Sequence, residues 1–349
     1  GEMKNTEAIL VTPGVMRIEE CPMPVPAEDE VLIKVAYVGI CGSDVHGFEC
    51  GPFIPPKDPS QKIGLGHEFS GTVVSVGAKV TRFKEGDRVL CEPGIPCGKC
   101  EYCLGGHYNI CPQVDFMATQ PNYKGALTNY LTHPESFTYH LPAHMDMVEG
   151  ALVEPAAVGM HAAELAGVKP GKNVLILGAG CIGLMTLQAC VLMGAERIVV
   201  ADVIDRRLEK ALQLGAWHVI NGRKEDTVDR SRALFGGDGA DIVFETAGSR
   251  VTAMQSFASV RRGGEVMIVG TIPGETPVDF LKINREVKVQ TVFRYANNFP
   301  MTIQAISSGR FDVLTMVTDE YTYEDVQKAF EESLSRKAEI IKGVIKISD

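Results

Sequence analysis

Four cysteines, Cys97, Cys100, Cys103 and Cys111, fall in the spacing C-x2-C-x2-C-x7-C. Thiolates gathered this closely suit a closed tetrahedral Zn²⁺ site, with each sulfur about 2.3 Å from the ion. The stretch between them carries Gly98, Gly105 and Gly106 and is too polar to build its own core. A metal would supply the fold of this lobe, and four protein ligands leave no open position for chemistry. An iron–sulfur cluster or a set of free buried thiols are the competing readings. Pro112 follows Cys111 as in cluster proteins, but the C-x3-C-P ending of the bacterial cluster motif is absent.

A second set of metal-type residues is dispersed. Cys41 lies in GICGSDVH (39–46), His67 and Glu68 in GHEF (66–69), and Glu154 in LVEP (152–155). One thiolate, one imidazole and one carboxylate, with water in the fourth place, would make an open catalytic zinc site. Spacing alone does not bring these residues together. A single cysteine is more often core, and a His-Glu pair is more often surface.

The third chemical signal is Gly178-Ala179-Gly180-Cys181-Ile182-Gly183, which follows an apolar run and opens a helical one. In G-x-G-x-x-G the first glycine makes the tight turn and the second lets a pyrophosphate approach the backbone. The third allows close helix–strand packing, and the helix N-terminus faces the phosphates. Asp202 ends the next strand, where an acid accepts hydrogen bonds from the adenosine ribose and repels a 2′-phosphate. That favours NAD over NADP. Arg206 and Arg207 pull the other way, because a nearby arginine accommodates the 2′-phosphate. The cofactor set is therefore Gly178, Gly180, Cys181, Ile182, Gly183, Asp202 and Arg207.

These residues need elements to hold them. At 349 residues the chain is long enough for two domains. The first 150 residues read as short alternating strands, such as EVLIKVAYV (30–38) and GTVVSV (71–76), separated by Gly, Pro and Asp turns, which suggests a barrel or sandwich. Past residue 155 the pattern becomes strand–helix alternation: NVLILG (173–178), RIVVAD (197–202), HVING (218–222), ADIVFETAG (240–248) and EVMIVG (265–270). Strands apolar on both faces and alternating with helices mean a parallel doubly wound sheet, so the fold class is α/β. The expected division is a β-domain over 1–156, a dinucleotide-binding domain over 157–290, and a segment 291–349 that returns to the first domain.

Composition narrows the function. Thirty-four basic against 44 acidic residues give a net charge of −10, with no basic face for nucleic acid. No apolar run reaches membrane-spanning length, and the segment GEMKNTEAIL lacks a signal peptide's apolar region. A cytoplasmic protein is expected, in which the ten cysteines stay reduced and their clusters indicate metal rather than disulfides.

Taken together, GICGSDVH (39–46), GHEFSGTVVSVG (66–77), GDRV (86–89), the four-cysteine lobe, EPAAVGMHA (154–162) and GAGCIG (178–183) resemble the zinc-dependent medium-chain dehydrogenases, and within them the polyol (sorbitol/xylitol) branch. The resemblance spans nearly the whole chain. It implies a GroES-like catalytic domain followed by a Rossmann domain. It also implies catalytic and structural zinc, NAD, and a homo-oligomer (tetramer or dimer). By this resemblance Cys41 and His67 are zinc ligands, with Glu68 as the third in polyol enzymes. Glu154 stands where other alcohol dehydrogenases have a cysteine ligand and where polyol enzymes have a glutamate beside the metal water, so both carboxylates remain candidates. Ser43 is implied to contact the reacting oxygen and His46 to carry its proton outward. Without the motif these would read as a turn residue and a surface histidine.

The chemistry has a clear need for such a site. An alcohol hydroxyl does not ionise at neutral pH, whereas zinc lowers the pKa of bound water to about 7 and would acidify an alcohol in the same way. Arg294 and Tyr295, in VFRYANN (292–298), occupy the place of an Arg-Tyr pair that lines the substrate cleft in polyol dehydrogenases. Those enzymes often carry Tyr-Trp after CGSDVH, whereas this chain has Gly47 and Phe48, which would change the pocket shape. The segments 49–62 and 116–124 are expected to line the entrance. The expected substrate is xylitol or a similar polyol, oxidised to its ketose. Other secondary alcohols (a vicinal diol such as butanediol, or threonine) and a non-catalytic dinucleotide-binding protein are the alternatives.

Overall fold

Residues 3–349 are described by a computed structural model, in which the chain forms two units: Gly1–Glu154 with Val313–Asp349, and Pro155–Asp312.

In the first unit the ten-residue strand Glu30–Gly39 is the spine of a seven-stranded sheet. Val31, Ile33, Val35 and Val38 are buried in a core that includes Phe69, Val73, Val89 and Ile345. β-branched residues fit this position because they pack well on a pleated, buried surface. Three strands pair with the spine: Glu68–Val76 and Tyr130–Pro134 antiparallel, and Lys342–Lys346 near its C-terminal end. At that end Gly39 lies opposite Glu68 on one side and Val344 on the other. The Ile40 N–H donates to the Gly343 carbonyl (3.0 Å). Three strand ends therefore converge where the dispersed metal-type residues begin. Two residues further on, the chain enters the helix Gly42–Cys50, with Cys41 as its N-cap.

In the second unit six strands pair in the spatial order 218–221, 197–202, 173–177, 240–245, 260–268, 288–291, all parallel. Numbered along the chain this is 3-2-1-4-5-6, the order of a Rossmann dinucleotide-binding sheet. The doubly wound expectation holds, as do the strands named for it. The helix Cys181–Leu192 follows the first of these strands directly and is buried over most of its length.

The chain leaves the second unit at Val313 rather than near residue 291. Hydrogen bonds explain the later crossing. The Gln188 side chain donates to the Asp312 carbonyl (2.8 Å) and accepts from the Asp312 N–H (2.7 Å), fastening this stretch to the helix after the glycine loop. Among the described residues no helix is long and apolar enough to cross a membrane.

Candidate metal and cofactor sites

Both metal sets assemble. The side-chain donors of Cys41, His67 and Glu68 lie within 4.8 Å of one another, and so do those of Cys97, Cys100, Cys103 and Cys111.

The first set sits on elements that leave its side chains little freedom. Cys41 caps a helix, Glu68 opens a strand, and His67 lies between Glu68 and Gly66. Gly66 has φ +93°, and a Cβ there would come within 2.9 Å of Val38. Only glycine takes that conformation without strain. Gly39 makes room in another way, since a Cβ on it would stand 2.3 Å from Glu68 Oε1. Asp44 ties the two ligand loops together. Its Oδ2 accepts the Cys41 N–H (3.1 Å), its Oδ1 accepts the Gly66 N–H (2.9 Å), and Oδ1 lies 3.6 Å from His67 Nδ1. An outer carboxylate against one ring nitrogen fixes the imidazole and leaves Nε2 for the metal side. Phe116, from the expected entrance stretch, packs its ring 5.2 Å from that of His67.

The electrostatics call for a cation. Glu68 and Glu154 are buried, and Glu68 Oε2 and Glu154 Oε2 accept no hydrogen bond. His67 Nε2 lies 3.4 Å from Glu154 Oε2 and 3.9 Å from Glu68 Oε2. Burial works against a charged imidazole, yet Asp44 and then Glu154 hold the His67 proton on well above the ordinary histidine range. Burial likewise raises Glu68, Lys342 lowers it and Glu154 raises it. A half-buried thiol, a buried imidazole and two buried carboxylates with unsatisfied oxygens are costly unless a positive ion satisfies them. This donor set fits Zn²⁺, held by Cys41, His67 and Glu68. Of the two candidate carboxylates, Glu68 belongs to the close cluster; Glu154 stands beside it, in the first turn of the helix Val153–Leu165.

Ser43 and His46 occupy the exposed side of the helix that Cys41 caps. Ser43 Oγ donates to Cys41 Sγ (3.4 Å), and the His46 ring stacks on Phe53 at 4.1 Å with planes 8° apart. Gly47 and Phe48 lie on the buried side of the same helix. Phe48 is 2% exposed and stacks on Phe330 in the core (5.3 Å).

Sequence reasoning missed Lys342. Its side chain is 3% exposed, and Nζ donates to the Ile40 carbonyl (2.9 Å) and pairs with Glu68 Oε1 (2.7 Å). The one available signal was a lysine directly before the short apolar run Gly343-Val344-Ile345.

The four-cysteine lobe is held by N–H···S bonds. Cys97 Sγ accepts from Lys99 (3.5 Å) and Cys100 (3.3 Å), and Cys100 Sγ from Cys103 (3.5 Å). The Lys99 N–H leads the groups that lower Cys97 to about 6. Desolvation, and then the neighbouring thiols, push Cys103 up to about 12. The Cys97 thiolate forms readily while Cys103 resists, and a cation resolves that conflict. The four sulfurs fit a structural Zn²⁺.

In the second unit, Gly178 has φ +106°, and a Cβ on Gly183 would lie 2.0 Å from the Gly178 carbonyl oxygen. Gly180 caps the helix beginning Cys181-Ile182-Gly183 and has open space, with Arg207 Nη1 3.8 Å from where its Cβ would be. A half-buried helix N-terminus with open space over Gly180 and a nearby guanidinium fits a pyrophosphate. Asp202 does more than end a strand. Oδ2 accepts from Ala179 (2.7 Å), and Oδ1 accepts from Val203 (2.7 Å) and Ile204 (3.1 Å), so the acid also anchors the glycine loop. Arg294 and Tyr295 belong to this second unit. Arg294 has φ +52° and lies over the Phe293 ring (4.4 Å), while Tyr295 is buried against Phe299 (5.1 Å).

Residues 27–143 match the alcohol dehydrogenase GroES-like domain, and residues 181–308 match the zinc-binding dehydrogenase domain. A sorbitol dehydrogenase of Bacillus subtilis is 40% identical, covering 97% of this chain and 96% of its own length. The chain belongs to the zinc-type alcohol dehydrogenase family. An uncharacterised zinc-type alcohol dehydrogenase-like protein of Escherichia coli is 70% identical, over 99% of this chain and 100% of the relative. A solved Escherichia coli structure, an oxidoreductase/dehydrogenase of unknown specificity involved in membrane biogenesis, superposes with a TM-score of 0.98. It is 69% identical and covers 99% of this chain and 100% of that one. The GroES-like first domain and Rossmann second domain of this family are the two units described above.

Proposed function

We propose that this zinc-type alcohol dehydrogenase oxidises a polyol of the xylitol or sorbitol class to its ketose, in the cytoplasm, with NAD⁺ as hydride acceptor. The observation that carries the reading is the donor set. A close cluster of Cys41, His67 and Glu68, with the buried Glu154 beside it, is the arrangement expected of the polyol branch. The identity to a sorbitol dehydrogenase over almost the full chain supports it.

When bound, zinc would supply the Lewis acidity that makes an alcohol hydroxyl ionise near neutral pH. Cys41 and Glu68 bring two negative charges and His67 a neutral donor, a set milder than three imidazoles. Ser43 is the hydroxyl positioned to meet the reacting oxygen, and exposed His46 is the group to pass its proton to solvent. Asp202 would accept hydrogen bonds from the ribose and disfavour a 2′-phosphate, while Arg207 would meet the pyrophosphate. Arg294 and Tyr295 are proposed to hold remote substrate hydroxyls. A homo-oligomer, dimer or tetramer, is proposed on the family likeness.

The test is a steady-state panel of xylitol, sorbitol, butanediol and threonine with NAD⁺ and NADP⁺, on protein of measured zinc content. Xylitol or sorbitol with NAD⁺ should give the highest kcat/KM; a short diol or threonine in first place overturns the polyol reading. Cys41→Ser should abolish turnover and leave NAD binding intact. Loss of both would indicate misfolding rather than loss of a ligand. In Asp202→Ala, discrimination against NADP⁺ should shrink, and unchanged discrimination removes Asp202 from the cofactor site.

A further inference from the structure

The two oxygens of the Glu68 carboxylate have unlike surroundings. Oε1 sits in the space that Gly39 leaves free, 2.7 Å from Lys342 Nζ. Oε2 lies 3.9 Å from His67 Nε2, among the other proposed ligands. The same ammonium donates to the Ile40 carbonyl, directly before Cys41 (2.9 Å). Lys342 thus grips the backbone beside one ligand and one oxygen of another. Its side chain is 3% exposed and that of Glu68 is fully buried, so water does not compete for either.

We propose that Lys342 sets how Glu68 meets the metal: it keeps Oε1 for itself and presents Oε2 alone, so that the glutamate is a one-oxygen ligand. The proposal rests on the reading of Cys41, His67 and Glu68 as a zinc site. A carboxylate binds a cation through one oxygen or through both, and nothing in the glutamate itself chooses between them. Catalytic zinc works with three protein donors and one open position. A second Glu68 oxygen on the metal would compete for that position. Lysine suits the task because its compact point charge fits between a carbonyl and a single carboxylate oxygen, whereas a guanidinium fork pairs with both oxygens. The role makes Lys342 a positioning residue, acting through Glu68. It also gives the C-terminal strand a chemical reason to lie beside Gly39.

The test loads the full-length protein with ¹¹³Cd²⁺ and records its NMR spectrum. The four-cysteine site and the mixed-donor site resonate far apart, because thiolates shift the signal strongly downfield. In Lys342→Met the mixed-donor signal should move upfield, as expected when a further oxygen joins the metal, while the four-cysteine signal stays in place and certifies the fold. Lys342→Arg should not reproduce that upfield move, because a guanidinium fork pairs with both oxygens and leaves neither for the metal. Lys342 restored in the Met background returns the original spectrum. A Lys342→Met spectrum that coincides with the parent overturns the proposal. So does loss of the mixed-donor signal with the four-cysteine signal intact, since Lys342 would then build the site rather than choose the oxygen. A parent protein that takes cadmium only in the four-cysteine lobe would instead overturn the metal reading beneath it.

Discussion

Replacing Asp44 by asparagine tests whether one outer carboxylate holds the ligand loops. The change preserves shape and removes one acceptor and one charge. The carboxylate accepts two N–H groups, from Cys41 and Gly66, and is 3% exposed. If the asparagine oxygen serves Gly66, its NH₂ faces the Cys41 N–H and leaves it unsatisfied, at a cost of about 1–3 kcal/mol. The remaining bond loses its charge assistance, about 1 kcal/mol more. The expected destabilisation of the first unit is therefore about 2–4 kcal/mol, and for a unit of its size Tm falls by roughly 5–15 °C. Because the oxygen facing the His67 ring loses its charge as well, zinc affinity should drop by about 10- to 100-fold. Burial disfavours the Asp44 charge, but His67 and the two N–H groups hold its pKa below the ordinary 3.8. A depressed acid contributes stability that is present above its unfolded pKa and lost as pH falls through the folded one. At pH 7 the full difference should be visible. Calorimetry on the zinc-free and zinc-loaded forms, with chelator competition for affinity, gives both numbers. A variant with parental Tm and parental zinc affinity would refute the reasoning.

Glu92 offers a pH test at a residue that is not itself a proposed ligand. It is buried, Tyr139 donates to its Oε1 (3.2 Å), and burial pushes its pKa from 4.5 up to about 7. A raised acid contributes stability that is present below pH 4.5 and lost as pH rises through 7. Relative to Glu92→Gln, the parent should lose about 3 kcal/mol across that window in denaturant titrations; parallel pH curves would contradict this. Buried His133, lowered to about 4 by burial, slopes the opposite way but is common to both proteins and cancels. In the four-cysteine lobe, Cys111→Ser should reduce bound zinc from about two to about one per chain and expose residues 97–111 to protease. Retention of both ions, measured by plasma mass spectrometry, would remove Cys111 from the site.

The Rossmann unit was legible because its information is local. Apolar runs of strand length, a glycine pattern at one turn and an acid at the next strand end all lie within 30 residues or so of each other, as this type of unit requires. The lobe was legible for the same reason. A motif aligns residues by number without saying which way a helix turns them. In Gly42–Cys50 the buried positions are Asp44, Gly47 and Phe48, an i, i+3, i+4 stripe, which puts Ser43 and His46 on the open side. That period was readable from the sequence. Lys342 was not, because its partners are 302 residues away at Ile40 and 274 away at Glu68, and the register that joins them belongs to sheet pairing. The later crossing at Val313 likewise depends on the Gln188–Asp312 pair, which no local pattern signals.

The charge placement explains why this site needs its distant strand. Asp44, Glu68 and Glu154 are all buried around His67, with the Cys41 thiol among them. Folding that many acids out of water is costly, and hydrogen bonds satisfy only Asp44 well. Lys342 offsets one carboxylate, and it reaches Glu68 only because the C-terminal strand pairs beside Gly39. The remaining negative charge has no partner among these side chains other than the His67 proton, which a metal on Nε2 would displace. Bound zinc would therefore serve twice, as the source of acidity in the proposed reaction and as the counter-charge that makes the folded site tolerable. Its binding should consequently raise the stability of the first unit in step with its concentration over its Kd. A protein whose first unit melts at the same temperature with and without zinc would have found some other way to bury these acids.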